Sequence, residues 1–151
     1  MKYRLFEHRS GKRKVPAKIR NEVGFAIYGV AIKAARGKAA ALRERLLSNL
    51  KTQGWPGEVR VSPESDITIT SLKRRVGLCI QTGNVARLYA DLIKLQTLFL
   101  NGAIGAAVVI VPSAEMAKVL GSNLAQFERL QRELRIFDKA YSAPTIIFAL
   151  E

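Results

Sequence analysis

Few of the 151 residues are of a type that does chemistry, and several of those fall between positions 64 and 81. Glu64 and Asp66 precede an alternating segment, Ile67 to Leu72. Cys79 and Gln81 lie two apart in a second one, Val76 to Gln81. A basic run, Lys73, Arg74 and Arg75, separates the two segments. Carboxylates beside a polar strand face can hold a hard cation such as Mg²⁺, whereas a cysteine is a soft ligand and suits it badly. His8, the one histidine, is remote in sequence, so a Cys/His pairing exists only on paper; a surface or phosphate-contacting role suits it better. A single cysteine excludes a disulfide framework and a multi-cysteine zinc site, and it fits a reducing cytoplasm. Each residue also has an ordinary reading. Cys79 serves as a small half-buried side chain, Glu64 and Asp66 as solvated acids beside a turn, and Gln81 as a plain polar strand residue.

The charge is strongly uneven. Net charge is +13, with 25 Lys and Arg against 12 Asp and Glu. Residues 1–75 carry 18 of the bases and 6 of the acids, while residues 76–151 carry 7 and 6. A balanced solvated surface would spread its excess, so the clustering points to a polyanionic partner, most simply nucleic acid. Charge alone does not separate DNA from RNA or anionic lipid. With 48% apolar residues, the chain can bury a core as one domain, 1–151, with a basic arm over about residues 1–18. The longest apolar runs, Ala103 to Pro112 and Thr145 to Leu150, fall short of the roughly 20 residues of a membrane span. The first residues lack the apolar core of a secretory signal.

The elements that must position these residues follow from periodicity. Helix-compatible spacing runs from Ile19 to Ala35, weakened by Gly24 and Gly29, and again from Ala39 to Leu50. The cluster Gln53 to Gly57 is a turn, with Trp55 as its anchor. Val59 and Val61 suggest a strand, and the two alternating segments read as a hairpin. Asn84 caps a long helix from Val85 to Leu100 whose broad apolar face requires a sheet beneath it. Ile104 to Val111 reads as a strand covered on both faces. A short helix capped by Ser113, an amphipathic helix over Asn123 to Arg135 and a last strand, Thr145 to Leu150, complete the chain. The order predicts an α/β fold: one central mixed β-sheet flanked by helices.

Helix, β-meander, helix, strand is the core order of the PD-(D/E)xK nucleases. The stretch Lys73 to Asn84 resembles the BglII/BamHI-type restriction endonucleases, which have a lysine-containing turn, a strand ending in Glu-x-Gln, a glycine and a long aromatic-containing helix. Gly102 to Pro112 and Ser122 to Glu128 extend the likeness, which covers residues 54–150. It implies a restriction-endonuclease-like core, DNA as partner, a homodimer and Mg²⁺ held by an Asp and a Glu on neighbouring strands. Position by position, Gln81 matches the family's Gln, Cys79 falls on its Glu and Thr70 on its Asp. Both carboxylates are replaced, so the resemblance implies an impaired site and no cofactor.

Two hairpin registers remain open. With the loop at Arg74-Arg75, Thr70 faces Cys79, and Asp66 lies four residues further, about 13 Å away at 3.3 Å per residue. With the loop at Lys73-Arg74, Asp66 faces Gln81, and Asp66 with Glu64 could hold Mg²⁺ in an active endodeoxyribonuclease. A third class is a basic RNA- or protein-interaction domain without nuclease ancestry. The expected phosphate-contacting cations are Lys12, Arg13, Lys14, Lys18, Arg20, Lys73, Arg74 and Arg75, together with Lys2, Arg4 and Arg9.

Overall fold

The computed structural model describes residues 1–151. The first strand, β1 (Tyr3–His8), is followed by a single helical turn, α1 (Gly11–Lys14), and two helices, α2 (Ala17–Tyr28) and α3 (Ala39–Thr52). Four short strands come next: β2 (Val59–Arg60), β3 (Thr68–Ile69), β4 (Ser71–Lys73) and β5 (Val76–Ile80). The chain ends with α4 (Val85–Leu100), β6 (Ala106–Pro112), α5 (Ala114–Leu120), α6 (Phe127–Ile136) and β7 (Thr145–Leu150).

Five strands form a mixed sheet in the order β1-β7-β6-β5-β4. β5, β6 and β7 run parallel, and β1 and β4 flank them antiparallel. β6 and β7 are buried at every position, which explains their unbroken apolar sequences. One face, with Leu78, Ile80, Val108, Ile110 and Phe148, packs on α2, α3 and α5. The other, with Cys79, Val109 and Ile147, packs on α4 and α6. β2 and β3 pair separately as a small ribbon. α4 lies so close to β5 that a Cβ on Gly77 would stand 2.9 Å from a Leu95 methyl.

The basic segment expected as an arm is ordered secondary structure. β1 is a sheet edge paired along its length with β7, and α1 seats Gly11 against the Thr145 carbonyl. Arg4 and Glu7 obscure the alternation of β1, and an edge strand tolerates such charges because only one side is paired. The first long helix stops at Gly29, well before Ala35, and the Met1 ammonium donates to the Tyr28 and Val30 carbonyls. The helix expected from Asn123 starts instead at Phe127. Asn123 adopts a left-handed φ of 53°, and Ala125 donates to the Gly83 carbonyl, drawing this segment onto the loop after β5. Asn84 and Ser113 cap their helices as expected. No helix is long and apolar enough to cross a membrane.

The β4–β5 hairpin is held to α2 by a part-buried ion pair. Lys73 Nζ lies 2.8 Å from Glu22 Oε2 and donates also to the Gln53 carbonyl, with its ammonium 5.9 Å from the Trp55 ring centre. Removing one partner leaves the other charge poorly solvated. Glu22→Ala should therefore cost about 3 kcal/mol in urea unfolding, and Glu22→Ala with Lys73→Met should recover much of it. A double variant no more stable than the single one would contradict this role.

Candidate functional site

The hairpin turns at Arg74-Arg75, both left-handed at φ of 50° and 61°, as a tight two-residue hairpin requires. Ser71 pairs with Leu78 and Lys73 with Val76. This is the first of the two registers, and it carries Thr70 towards Cys79. The Thr70 hydroxyl accepts from the Ile80 N–H at 3.1 Å. Gln81 follows at the carboxyl end of β5. Its Nε2 donates to Asp91 on α4 at 3.0 Å, and its Oε1 accepts from the Gly83 N–H. Thr70, Cys79 and Gln81 are thus brought together.

Above them opens a cavity of about 590 Å³ between the start of α3, the first half of α4 and the β2–β3 ribbon. Thr70 and Gln81 line it, joined by Arg43, Glu58, Arg87, Asp91 and Lys94. Cys79 does not reach it. The side chain is 1% exposed in the core beneath α4, and burial, reinforced by the Asp91 charge, pushes its thiol well above the ordinary range. The group stays a neutral thiol at neutral pH, unsuited to metal binding or nucleophilic work.

None of the cavity's five charged residues was anticipated. Asp91, 8% exposed, is the one acid of α4 and lies 3.1 Å from Lys94 Nζ. An acid three residues before a lysine within an otherwise apolar helix was the signal available. Arg43 on α3 donates to the Ile80 carbonyl, a contact between residues 37 apart that has no local signature. Arg87 and Glu58 reach the cavity only through the packing of α4 and the ribbon.

Asp66 and Glu64 are displaced from the site. The Asp66 side chain is 94% exposed and pairs with Arg60 at 2.9 Å. Glu64 is exposed on the loop between β2 and β3, and neither acid lines the cavity. The register that would have set Asp66 opposite Gln81 is not the one formed. His8 is likewise no surface residue: it is buried, with Nε2 2.8 Å from the Tyr141 carbonyl.

The nominated cations lie away from the cleft. The parallel strands start at Val76, Ala106 and Thr145 and end at Ile80, Pro112 and Leu150, so Gln81 marks the carboxyl end of the sheet. Lys12, Arg13 and Lys14 follow His8, which pairs with Thr145 at the opposite end. Arg74 and Arg75 turn into Val76 at that same end, and Lys18 and Arg20 belong to the early part of α2. Lys73 is consumed by Glu22. None of the eight lines the cavity.

Residues 6–150 match the family model described as restriction endonuclease BglII/BglIII. The chain belongs to that family. Among solved structures, restriction endonuclease BglII complexed with a DNA 16-mer superposes with a TM-score of 0.90 at 11% identity, over 100% of this chain and 78% of that one. Free BglII gives 0.80 at 13%, over 100% and 80%. At such identities the likeness is one of fold, a restriction-endonuclease-like core. No curated protein sequence matches the chain.

The Mg²⁺ that the family resemblance implies does not fit Thr70 and Cys79, the two residues expected to hold it. Thr70 offers a hydroxyl already engaged by a backbone N–H, Cys79 offers a buried thiol, and no three His, Cys, Asp or Glu side chains converge anywhere in the structure. Cys79 reports on this directly. A thiol-alkylating reagent should label the native protein at a negligible rate and label it fully after unfolding in guanidinium. Rapid native labelling would show the thiol open to the cleft.

Proposed function

We propose that the chain is a DNA-binding member of the BglII family whose metal-dependent cleavage is impaired. The observation supporting this reading is that Thr70 and Cys79, which the sequence resemblance sets at the family's Asp and Glu, are engaged by the backbone and sunk in the core respectively. What survives is a cleft with three cations, Arg43, Arg87 and Lys94, against two acids. A phosphodiester backbone suits such a cleft, because phosphate rewards clustered Arg and Lys. DNA as partner is supported by the fold shared with BglII, whose complex with DNA gives the TM-score of 0.90. The protein then works beside cytoplasmic DNA.

One observation favours a second reading, a rearranged metal site: Asp91 and Glu58 both face the cavity. Asp66 and Glu64 do not, so the rearranged site has to use the α4 acid. Incubating supercoiled plasmid with Mg²⁺ or Mn²⁺ separates the two. The wild type is expected to retard duplex DNA and leave it uncut, and Asp66→Ala to behave identically. Cleavage by the wild type that disappears in Asp91→Asn would establish the second reading. Stronger retention of RNA than of duplex DNA would favour the RNA-associated class.

A duplex has two strands, so the proposal includes a homodimer. An apolar groove between α4 and the end of α6 supports it: Ile93 is 67% exposed, and Phe137 packs edge-on to Tyr89 beside it. Ile93→Glu should convert a dimer to a monomer in sedimentation and weaken DNA binding. Sedimentation of the wild type as a monomer at all concentrations would remove this part.

The cations at the strand-start end act through their field more than by contact with DNA in the cleft. Replacing Lys12, Arg13 and Lys14 together with serine should slow association with duplex DNA several-fold at low salt and have little effect near 0.3 M salt. An equal loss at both salt concentrations would instead mean direct phosphate contact.

A further inference from the structure

The free edge of β5 explains why Arg43 stands where it does. The ladder to β6 continues through Gln81, whose N–H donates to the Ile110 carbonyl. Alternation along a strand therefore turns the N–H and C=O of Ile80 the other way, towards β4. The β4–β5 pairing reaches only Ser71 and Leu78, so no strand covers Ile80 on that side. Two polar backbone groups of a buried strand are left needing partners. The Thr70 hydroxyl takes the N–H and the Arg43 guanidinium takes the C=O. The positive charge thus sits at the centre of the degenerate site, between the Thr70 position and Gln81.

We propose that Arg43 is a built-in replacement for the divalent cation: the cleft binds a DNA phosphate through Arg43 and Arg87 without any metal. This rests on the DNA-binding reading above and specifies how that site works. A guanidinium carries five N–H donors, and the Ile80 carbonyl uses one of those on Arg43. Its planar fork matches two phosphate oxygens, and it cannot be deprotonated. Lys94 is not free for the same task, since Asp91 holds it at 3.1 Å, and Asp91 is further engaged by Gln81. Arg87, in the first turn of α4 and lining the same cavity, has no acid partner among the ion pairs of the chain. Its neighbours Thr82 and Gly83 leave the floor of the cleft polar and small. A divalent ion entering here would meet a fixed positive charge at the Ile80 carbonyl. The absent carboxylates and the present arginine therefore act in the same direction.

The test is duplex binding by fluorescence anisotropy, in EDTA and in Mg²⁺ at matched ionic strength. The wild type should bind equally well in both, or slightly more weakly with Mg²⁺. Arg43→Gln should lose at least about tenfold in both conditions, and the slope of log affinity against log salt should fall by about one. Arg43 also satisfies a backbone carbonyl, so its variant is checked by thermal unfolding. If it does not fold, Arg87→Gln, which leaves the Ile80 contact intact, decides by the same two readouts. Mg²⁺-stimulated wild-type binding overturns the proposal, as does wild-type affinity in every folded variant. Wild-type plasmid cleavage would count against the impaired-nuclease reading, whereas metal-stimulated binding of uncut DNA counts against this one alone.

Discussion

The register of one short hairpin determines the rest of the site. β4 and β5 pair over three residues only, and because β5 is fixed by β6, a slip by one would carry β4 and Thr70 out of line with Cys79 and Ile80. Three constraints prevent the slip. The two-residue turn at Arg74-Arg75 allows one alignment, Gly77 fits beneath Leu95 where any side chain would collide, and Lys73 is tied across to Glu22. Because the pairing is short, β5 emerges from it with an uncovered edge at Ile80. That edge is where a hydroxyl, a guanidinium and a cavity meet.

Charge is distributed in space differently from its distribution along the chain. The first half of the sequence holds nearly all of the excess positive charge, yet much of it lies at the end of the sheet where the parallel strands begin. The cleft takes one cation from the basic half, Arg43, and two from the nearly neutral half, Arg87 and Lys94. In the proposed DNA-binding role, the far cations would raise the local concentration of a polyanion over roughly a Debye length of about 8–10 Å, while the few in the cleft would make the contacts.

The parts of the fold that periodicity reveals are those whose burial is uniform. α4, β6 and β7 have continuous or broad apolar faces, and their extents are close to those read from the residues alone. β1 was illegible because an edge strand with charged side chains has no apolar alternation to detect. The start of α6 was misplaced because Leu124 follows the helical repeat, while a left-handed Asn123 and a bond to Gly83 hold it in another conformation. Within the site, the residues close to one another in sequence were legible: Thr70, Cys79 and Gln81 belong to adjoining strands. Arg43 and Asp91 were not, since their roles exist only once α3 and α4 have packed against β5. Charge counting located a basic segment correctly and assigned it the wrong place, because a count carries no direction.

A metal cradle is a costly object for a small core. Two carboxylates held close together repel each other, and one of them at position 79 would be buried among Val109, Leu88 and Tyr141. Burying a charge without a partner costs several kcal/mol, whereas a cysteine there packs as a small apolar group. Threonine at position 70 satisfies the Ile80 N–H by itself, and Arg43 does the same for the carbonyl. Thr70 and Arg43 thus each make a contact that the fold uses. With the Arg43 guanidinium bonded to Ile80, an acid introduced at position 70 would stand near Arg43 and form an ion pair before it could gather a metal. On the metal-free reading proposed above, a metal held at positions 70 and 79 would need change at three positions together, 43, 70 and 79.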